Sequence, residues 1–214
     1  MKDRVTREAI LATCRAMNAS GLNQGTSGNV STRDGGGMLI TPSGVPYGDT
    51  TPDMIVPVAA DGTATGRWNP SSEWRMHLDI YRARPEAQAV VHVHSPYATA
   101  LSCHRRGIGA FHYMVAVAGG TDIRCADYAT FGTQALSDAM LAALEGRTAC
   151  LLANHGQITF GPTLEKALWL AGEVETLARQ YILARALGEP VSLDAAQMAE
   201  VVCAFRTYGK QDPA

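Results

Sequence analysis

Apolar side chains recur at helical spacing over residues about 4–18, where Ile10, Cys14 and Met17 share a face, and the pattern stops before Gly21. That spacing predicts an opening helix. The next stretch, GTSGNVSTRDGGGMLITPSG, breaks short β-prone pieces with glycines, the layout of a hairpin. Ile55 to Val58 is a further strand candidate. Pro70-Ser71-Ser72-Glu73 reads as a helix start: a hydroxyl cap, then an acid in the first turn, where the helix dipole favours negative charge. This helix should reach about Arg84.

AQAVVHVH alternates as a strand, with Val91 and Val93 on one face and His92 and His94 on the other. SPYATALSCH begins a helix, TQALSDAMLAAL (133–144) forms another, and TACLLAN is an apolar strand that stops at His155. From Leu164 to about Leu187 the positions Leu164, Ala167, Leu168, Ala171, Val174, Ala178 and Tyr181 keep helical spacing, opened by Pro162-Thr163 and closed by Gly188 and Pro190. A last helix at about 192–205 leads into Tyr208-Gly209. Helices and short strands interleave without a linker, a repeat or a low-complexity segment. The expectation is an α/β chain, one domain over residues 1–214, with a single, largely antiparallel sheet covered by helices.

Composition narrows the partners. The chain has 214 residues, 46% hydrophobic and 18% charged, an ordinary globular balance. A net charge of −2 gives no electrostatic reason to expect nucleic acid or an anionic membrane, so any bound anion must be held by a local site. No apolar run approaches the roughly 20 residues of a membrane helix, and MKDRVTREAILATCRAM is charged and periodic, unlike a signal peptide. Cys14, Cys103, Cys125, Cys150 and Cys203 are odd in number, scattered and free of any CxxC. They read as reduced thiols of a cytoplasmic protein.

His92 and His94 share a strand face with Cα atoms roughly 6.5–7 Å apart, close enough for two imidazoles to tilt onto one cation. A catalytic zinc takes about three protein ligands and leaves one position open. His155, where an apolar strand stops before Gly156, is a third candidate, and Glu73 a fourth. By itself the HxH pair reads better as edge or core histidines than as a metal site. His77, His104 and His112 stand in no such arrangement and suit structural or surface roles. TSGNVS (26–31), TPSG (41–44) and Ser71-Ser72 are small hydroxyl- or glycine-containing turns. Backbone N–H groups in such turns, and at a helix N-terminus, make anion sites; each is also an ordinary turn if taken alone. Because Ser72 and Glu73 are adjacent, a phosphate at this helix start would flank the glutamate.

Taken together, TSGNVS, MLITPSGVPY, SSEWRMH, AVVHVHS, FHYMVAVAGG, YATFGT, LLANHG and LEKALWLAGEVE resemble, in order and spacing, the class II aldolase/adducin family over nearly the whole chain. The resemblance implies a zinc-dependent aldolase, with Mn2+ or Co2+ as substitute metals. It further implies a three-layer α/β/α fold with a mostly antiparallel sheet, and four-fold homotetramers with active sites at subunit interfaces. By matching motif, His92, His94 and His155 correspond to the zinc ligands. Glu73 corresponds to the acid/base that coordinates the metal at rest. Gly28, Asn29, Ser43, Gly44, Ser71 and Ser72 correspond to a phosphate cradle. Tyr113 resembles a catalytic tyrosine reaching in from a neighbouring subunit, and Phe131, Phe205 and Tyr208 match residues around the aldehyde end of the pocket.

The implied substrate is a small ketose 1-phosphate: L-fuculose 1-phosphate, 5-deoxyribulose 1-phosphate or 5-methylthioribulose 1-phosphate. The implied products are dihydroxyacetone phosphate and an aldehyde. Charge then builds on two adjacent substrate oxygens, which a chelated cation stabilises. No lysine Schiff base is required, and Lys2, Lys166 and Lys210 lie outside the metal and phosphate motifs. Relatives on the scaffold supply the alternatives. Epimerases generally carry Asp where this chain has Glu73, and adducin-type heads, which act as interaction modules, lack the histidines. Methylthioribulose-phosphate dehydratases and sugar-acid phosphate decarboxylases keep the metal site. A decarboxylase also needs a partner for the substrate carboxylate, for which the motifs offer Arg75 and Arg206.

Overall fold

The computed structural model describes residues 2–205, and in it the alternating stretches of sequence converge on one sheet. After α1 (Lys2–Ala19), strands β1 (Asn29–Asp34) and β2 (Gly37–Ile40) form a hairpin through Gly35-Gly36, followed by β3 (Val56–Val58). Then come α2 (Trp74–Ala83), β4 (Ala89–Val93) and α3 (Pro96–Cys103). The chain continues through β5 (Cys125–Ala126), α4 (Gln134–Ala143), β6 (Ala149–Leu152) and β7 (Gly156–Gly161). It ends, among the described residues, with α5 (Leu164–Ala186) and α6 (Ala195–Phe205).

The seven strands lie in the order β3-β2-β1-β4-β7-β6-β5. Every neighbouring pair is antiparallel except β5–β6. Helices α2 and α4 cover one face, packing Met76, Ile80, Leu136 and Met140 against Ile40, Val90, Ile158 and Phe160. Helices α1 and α5 cover the other, where Ile10, Cys14, Ala167 and Ala171 meet Val30, Val91 and Val93. α3 joins α5 on that side through Ala98, Leu101, Leu170 and Val174. This is the three-layer α/β/α arrangement with a mostly antiparallel sheet that the resemblance implied. Each fully buried large side chain contributes about 1.5–3 kcal/mol. Both sheet faces are closed by apolar packing, interrupted by buried polar residues on β1 (Asn29, Ser31), β4 (His92) and β7 (Gln157, Thr159).

Three local expectations are corrected. α2 starts at Trp74, so Glu73 is its N-cap residue and not an acid of its first turn. The reason is a tight turn in front of the helix: Trp74 N donates to Ser71 O, and Glu73 N donates to Ser71 Oγ at 3.3 Å. The Glu73 side chain makes no capping bond and is free to point elsewhere. β6 ends at Leu152, and Ala153 to His155 form the turn into β7, with Asn154 in the left-handed region at φ 55°. The last helix begins at Ala195, after an Asp194 turn whose carboxylate accepts from Gln197 N.

Candidate active site

Strand pairing places the first ligands. β1 and β4 are neighbours with Asn29 opposite His92, so both side chains stand on the face that α2 covers. His92 is wholly buried, and its Nδ1–H donates to Gln157 O on β7 at 2.8 Å. That bond fixes the tautomer and turns Nε2 inward, the usual support of a metal-bound histidine. His94 follows the last residue of β4, and the turn after β6 supplies His155. Gly156 makes their approach possible, since a Cβ there would lie 2.5 Å from Val93 O and 3.1 Å from His94 Cδ2. Glu73 enters from the helical layer, at the start of α2.

The four side chains meet. The three imidazoles stand edge to face, with centroids 4.8–4.9 Å apart. His92 Nε2 is 3.1 Å from His94 Nε2 and 3.2 Å from Glu73 Oε2, while His155 Nε2 is 3.1 Å from Glu73 Oε1. One ligand atom from each residue falls within 4.8 Å of the others. Three nitrogens and a carboxylate oxygen are a donor set for a divalent metal, zinc among them.

Two observations test whether a cation fits. Glu73 Oε1 is buried and makes no hydrogen bond despite its nearness to His155, so the contact is not aligned as a donor–acceptor pair. Two imidazole nitrogens also face each other at 3.1 Å; a cation between them would satisfy both lone pairs. The electrostatics agree. Burial opposes ionisation of Glu73, but His92 and His155 outweigh it and hold the carboxyl far below its usual range. Burial likewise opposes charge on His92, yet Glu73 holds its imidazole above the ordinary value. Burial, then His92 and His155, push His94 down to about 4. The cluster favours one positive charge beside the carboxylate, which a metal supplies in place of a proton.

A cavity of about 350 Å³ opens beside this cluster, reached by Glu73, His94 and His155. Its wall includes all six residues of the expected cradle: Gly28, Asn29, Ser43, Gly44, Ser71 and Ser72. The 26–29 turn is clamped in place. Tyr47 Oη donates to Gly28 O at 2.8 Å, while Asn23 Nδ2 donates to Ser27 O and Asn23 Oδ1 accepts from His94 N. Phe131 also lines the cavity. Tyr113 and Phe205 do not line it within one chain. They stack at 6.4 Å in a separate groove with Met114 and Trp169, and Tyr113 is half exposed. Tyr208 lies outside the described residues.

Several residues here were not singled out from the sequence. Tyr128 and Asn154 line the cavity, as do Thr26 and Ser27; all four belong to the matched segments YATFGT, LLANHG and TSGNVS. Gln157 secures the β7 backbone that orients His92, its Nε2 donating to Ser95 Oγ at 2.7 Å and Ala171 O at 3.1 Å. His77 is the structural histidine the sequence suggested, fully buried between Asn29 and Ser31. Its helical spacing from Glu73 (i, i+4) was legible, but its strand partners were not.

Comparison with known proteins places this geometry. The family model described as the class II aldolase and adducin N-terminal domain matches residues 8–182. A protein of Rhodospirillum rubrum named 5-methylthioribulose-1-phosphate/5-deoxyribulose-1-phosphate aldolase is 52% identical over 203 residues, covering 95% of this chain and 92% of its own. An Escherichia coli protein named L-fuculose phosphate aldolase is 50% identical over 201 residues, covering 94% of each. Among solved structures, an L-fuculose 1-phosphate aldolase superposes with a TM-score of 0.91 at 39% identity, covering 94% of this chain and 96% of that one.

Proposed function

This chain belongs to the class II aldolase and adducin family, and from that membership we propose that it is a metal-dependent aldehyde-lyase. It cleaves a ketose 1-phosphate between C3 and C4 into dihydroxyacetone phosphate and an aldehyde. The observation that carries this reading is the convergence of Glu73, His92, His94 and His155 beside a cavity walled by the Gly28–Asn29, Ser43–Gly44 and Ser71–Ser72 turns. A metal site and an anion cradle flank one small space. Relatives named for fuculose, deoxyribulose and methylthioribulose phosphates support that substrate class.

In this reading the cation is zinc, held by the three histidines and, at rest, by Glu73. When bound, such a cation would supply a Lewis acid that stabilises the negative charge developing on the substrate oxygens. The chain's own residues do the rest. The cradle N–H and hydroxyl groups hold the phosphate and so fix the direction of the sugar. Cleavage removes a proton from the C4 hydroxyl, and the C3–C4 electron pair passes into an enediolate. Glu73, after taking up a proton from solvent, delivers it to the carbon that was C3, completing dihydroxyacetone phosphate. Tyr113 relays the C4 hydroxyl proton to solvent, accepting it as it releases its own phenolic proton, a task suited to a hydroxyl that both donates and accepts.

Tyr113 is assigned to a neighbouring subunit's pocket in a homotetramer, and its stacking on Phe205 means that both would arrive together. Phe131, with Phe205 brought by a neighbouring subunit, would form an apolar end that suits lactaldehyde, acetaldehyde or methylthioacetaldehyde. Such surfaces discriminate by only about 1–3 kcal/mol per methylene, so one enzyme can serve several of these ketoses. Of the two carboxylate partners a decarboxylase reading would need, Arg75 donates to Gly132 O and lies over the Trp74 ring, and Arg206 lies outside the described residues. Residues 1–214 are read as one domain, and the scattered free cysteines support a cytoplasmic setting. The deciding experiment is a coupled assay of dihydroxyacetone phosphate release from a panel of ketose 1-phosphates, with and without chelator. Release that a chelator abolishes and zinc restores is expected; no release from any member overturns the proposal.

A further inference from the structure

From Glu73 and Asn29 at the cavity wall, a line of polar side chains runs into the core between α2 and the sheet. Asn29 Nδ2 donates to Glu73 Oε2 at 3.0 Å. Asn29 Oδ1 faces His77 Nε2 at 2.5 Å, His77 Nδ1 faces Ser31 Oγ at 2.7 Å, and Ser31 Oγ faces Tyr81 Oη at 2.8 Å. All five residues are buried. The spacing explains how they line up: the α2 N-cap Glu73 and the α2 residues His77 and Tyr81 follow one another four apart, while Asn29 and Ser31 are alternate positions of β1 on the face toward that helix.

The chemistry leaves one direction for this line. An ionised carboxylate only accepts, so Asn29 must turn its amide nitrogen to Glu73 and its oxygen inward. That oxygen needs a donor, so His77 must carry its proton on Nε2. Nδ1 then accepts from the Ser31 hydroxyl, and Ser31 accepts from Tyr81. His77 stays neutral in this place, since burial and then the neighbouring His92 push its imidazole down to about 3.

Resting on the assignment of Glu73 above, we propose that His77 is a positioning residue, which locks the Asn29 amide so that Glu73 is always met by an N–H and never by an oxygen. Without the lock the amide can rotate by half a turn and set its carbonyl oxygen against the carboxylate. Glu73 would then lose its support and its fixed place between metal and cavity.

The test is a double-mutant cycle in the full-length protein, read in two ways: kcat and KM for dihydroxyacetone phosphate release, and zinc affinity by chelator competition. His77→Leu should lower kcat or zinc affinity by ~10–100-fold, the usual effect of removing an outer partner of a ligand, with KM changed less than kcat. His77→Gln places an amide N–H near the position of Nε2 and should recover most of the loss. In an Asn29→Ala background, His77→Leu should cause no further loss, because its effect runs through Asn29. Losses that multiply in the double variant, or a Gln variant as impaired as Leu, would overturn the proposal. If His77→Leu does not fold, Ser31→Ala removes the donor to Nδ1 and takes its place in the same cycle, with a smaller loss and the same non-additivity. Should the wild-type protein release no dihydroxyacetone phosphate, the proposed activity fails; the zinc-affinity cycle still decides the role of His77.

Discussion

Replacing Gly28 by alanine separates two effects that the site imposes on one residue. Gly28 has φ +69°, and a Cβ built there would lie 2.5 Å from the His92 carbonyl oxygen and 3.0 Å from Asn23 Oδ1. The left-handed backbone alone costs an L-residue about 1–2 kcal/mol, and forcing atoms into a filled space adds about 1–3 kcal/mol. Reduced entropy of the unfolded chain returns about 0.4–1 kcal/mol. The closest atom belongs to the backbone of a central strand, so no rotamer change relieves it, and a net loss of about 2–4 kcal/mol is expected. Gly44 is the internal control, with the same φ of +69° and no atom within 4 Å of its Cβ. Gly44→Ala should therefore carry only the conformational part, about 1 kcal/mol or less. Equilibrium urea unfolding of both variants in chelator is the assay, since bound metal would add its own binding energy to the folded state. The Gly28 variant should also bind zinc more weakly, because relief of the clash displaces the strand that carries His92. Equal destabilisation at the two glycines would refute the steric argument.

Other outcomes follow from the same geometry. Glu73→Gln should retain zinc on the three histidines while kcat falls ~10²–10⁴-fold, the range for a lost general acid/base; unchanged turnover would remove Glu73 from the mechanism. His92→Ala should lower metal content and activity together, measured by elemental analysis and the coupled assay, and a fully metallated, active variant would contradict the ligand assignment. His77 predicts a pH effect: its folded value is held at about 3 against an ordinary 6.5, so below 6.5 the unfolded chain binds the extra proton. Stability from this group is complete above pH 6.5 and is lost as pH falls toward 3, amounting to about 2 kcal/mol between pH 7 and pH 5. Urea unfolding of metal-free wild type and His77→Gln at those two pH values should differ in pH dependence by that amount; parallel behaviour would show that His77 is not the buried neutral group described.

Much of this protein follows from local pattern. The period of the apolar residues in 164–186 and the alternation in AVVHVH set the long helix and the central strand, because burial against one neighbour selects one face whatever that neighbour is. The glycine breaks set the hairpin. The convergence of Glu73, His92, His94 and His155 was legible only because eight motifs appeared together; the HxH pair alone left core and metal readings open. Local pattern failed at Glu73, where Ser71-Ser72-Glu73 looked like a cap with an acid in the first turn. A turn closed by Ser71 instead ends the extended chain one residue later and releases the carboxylate toward the histidines.

The sequence by itself therefore determined the elements, the faces they bury and the residue types available for chemistry, since these depend on spacing along the chain. Only the tertiary structure decided that Asn29 stands opposite His92, that α2 lays Glu73 and His77 on either side of Asn29, and that Tyr113 and Phe205 share a groove apart from the cavity. Those are contacts between residues dozens of positions apart. They are fixed by strand register and layer packing, for which no local period carries a signal.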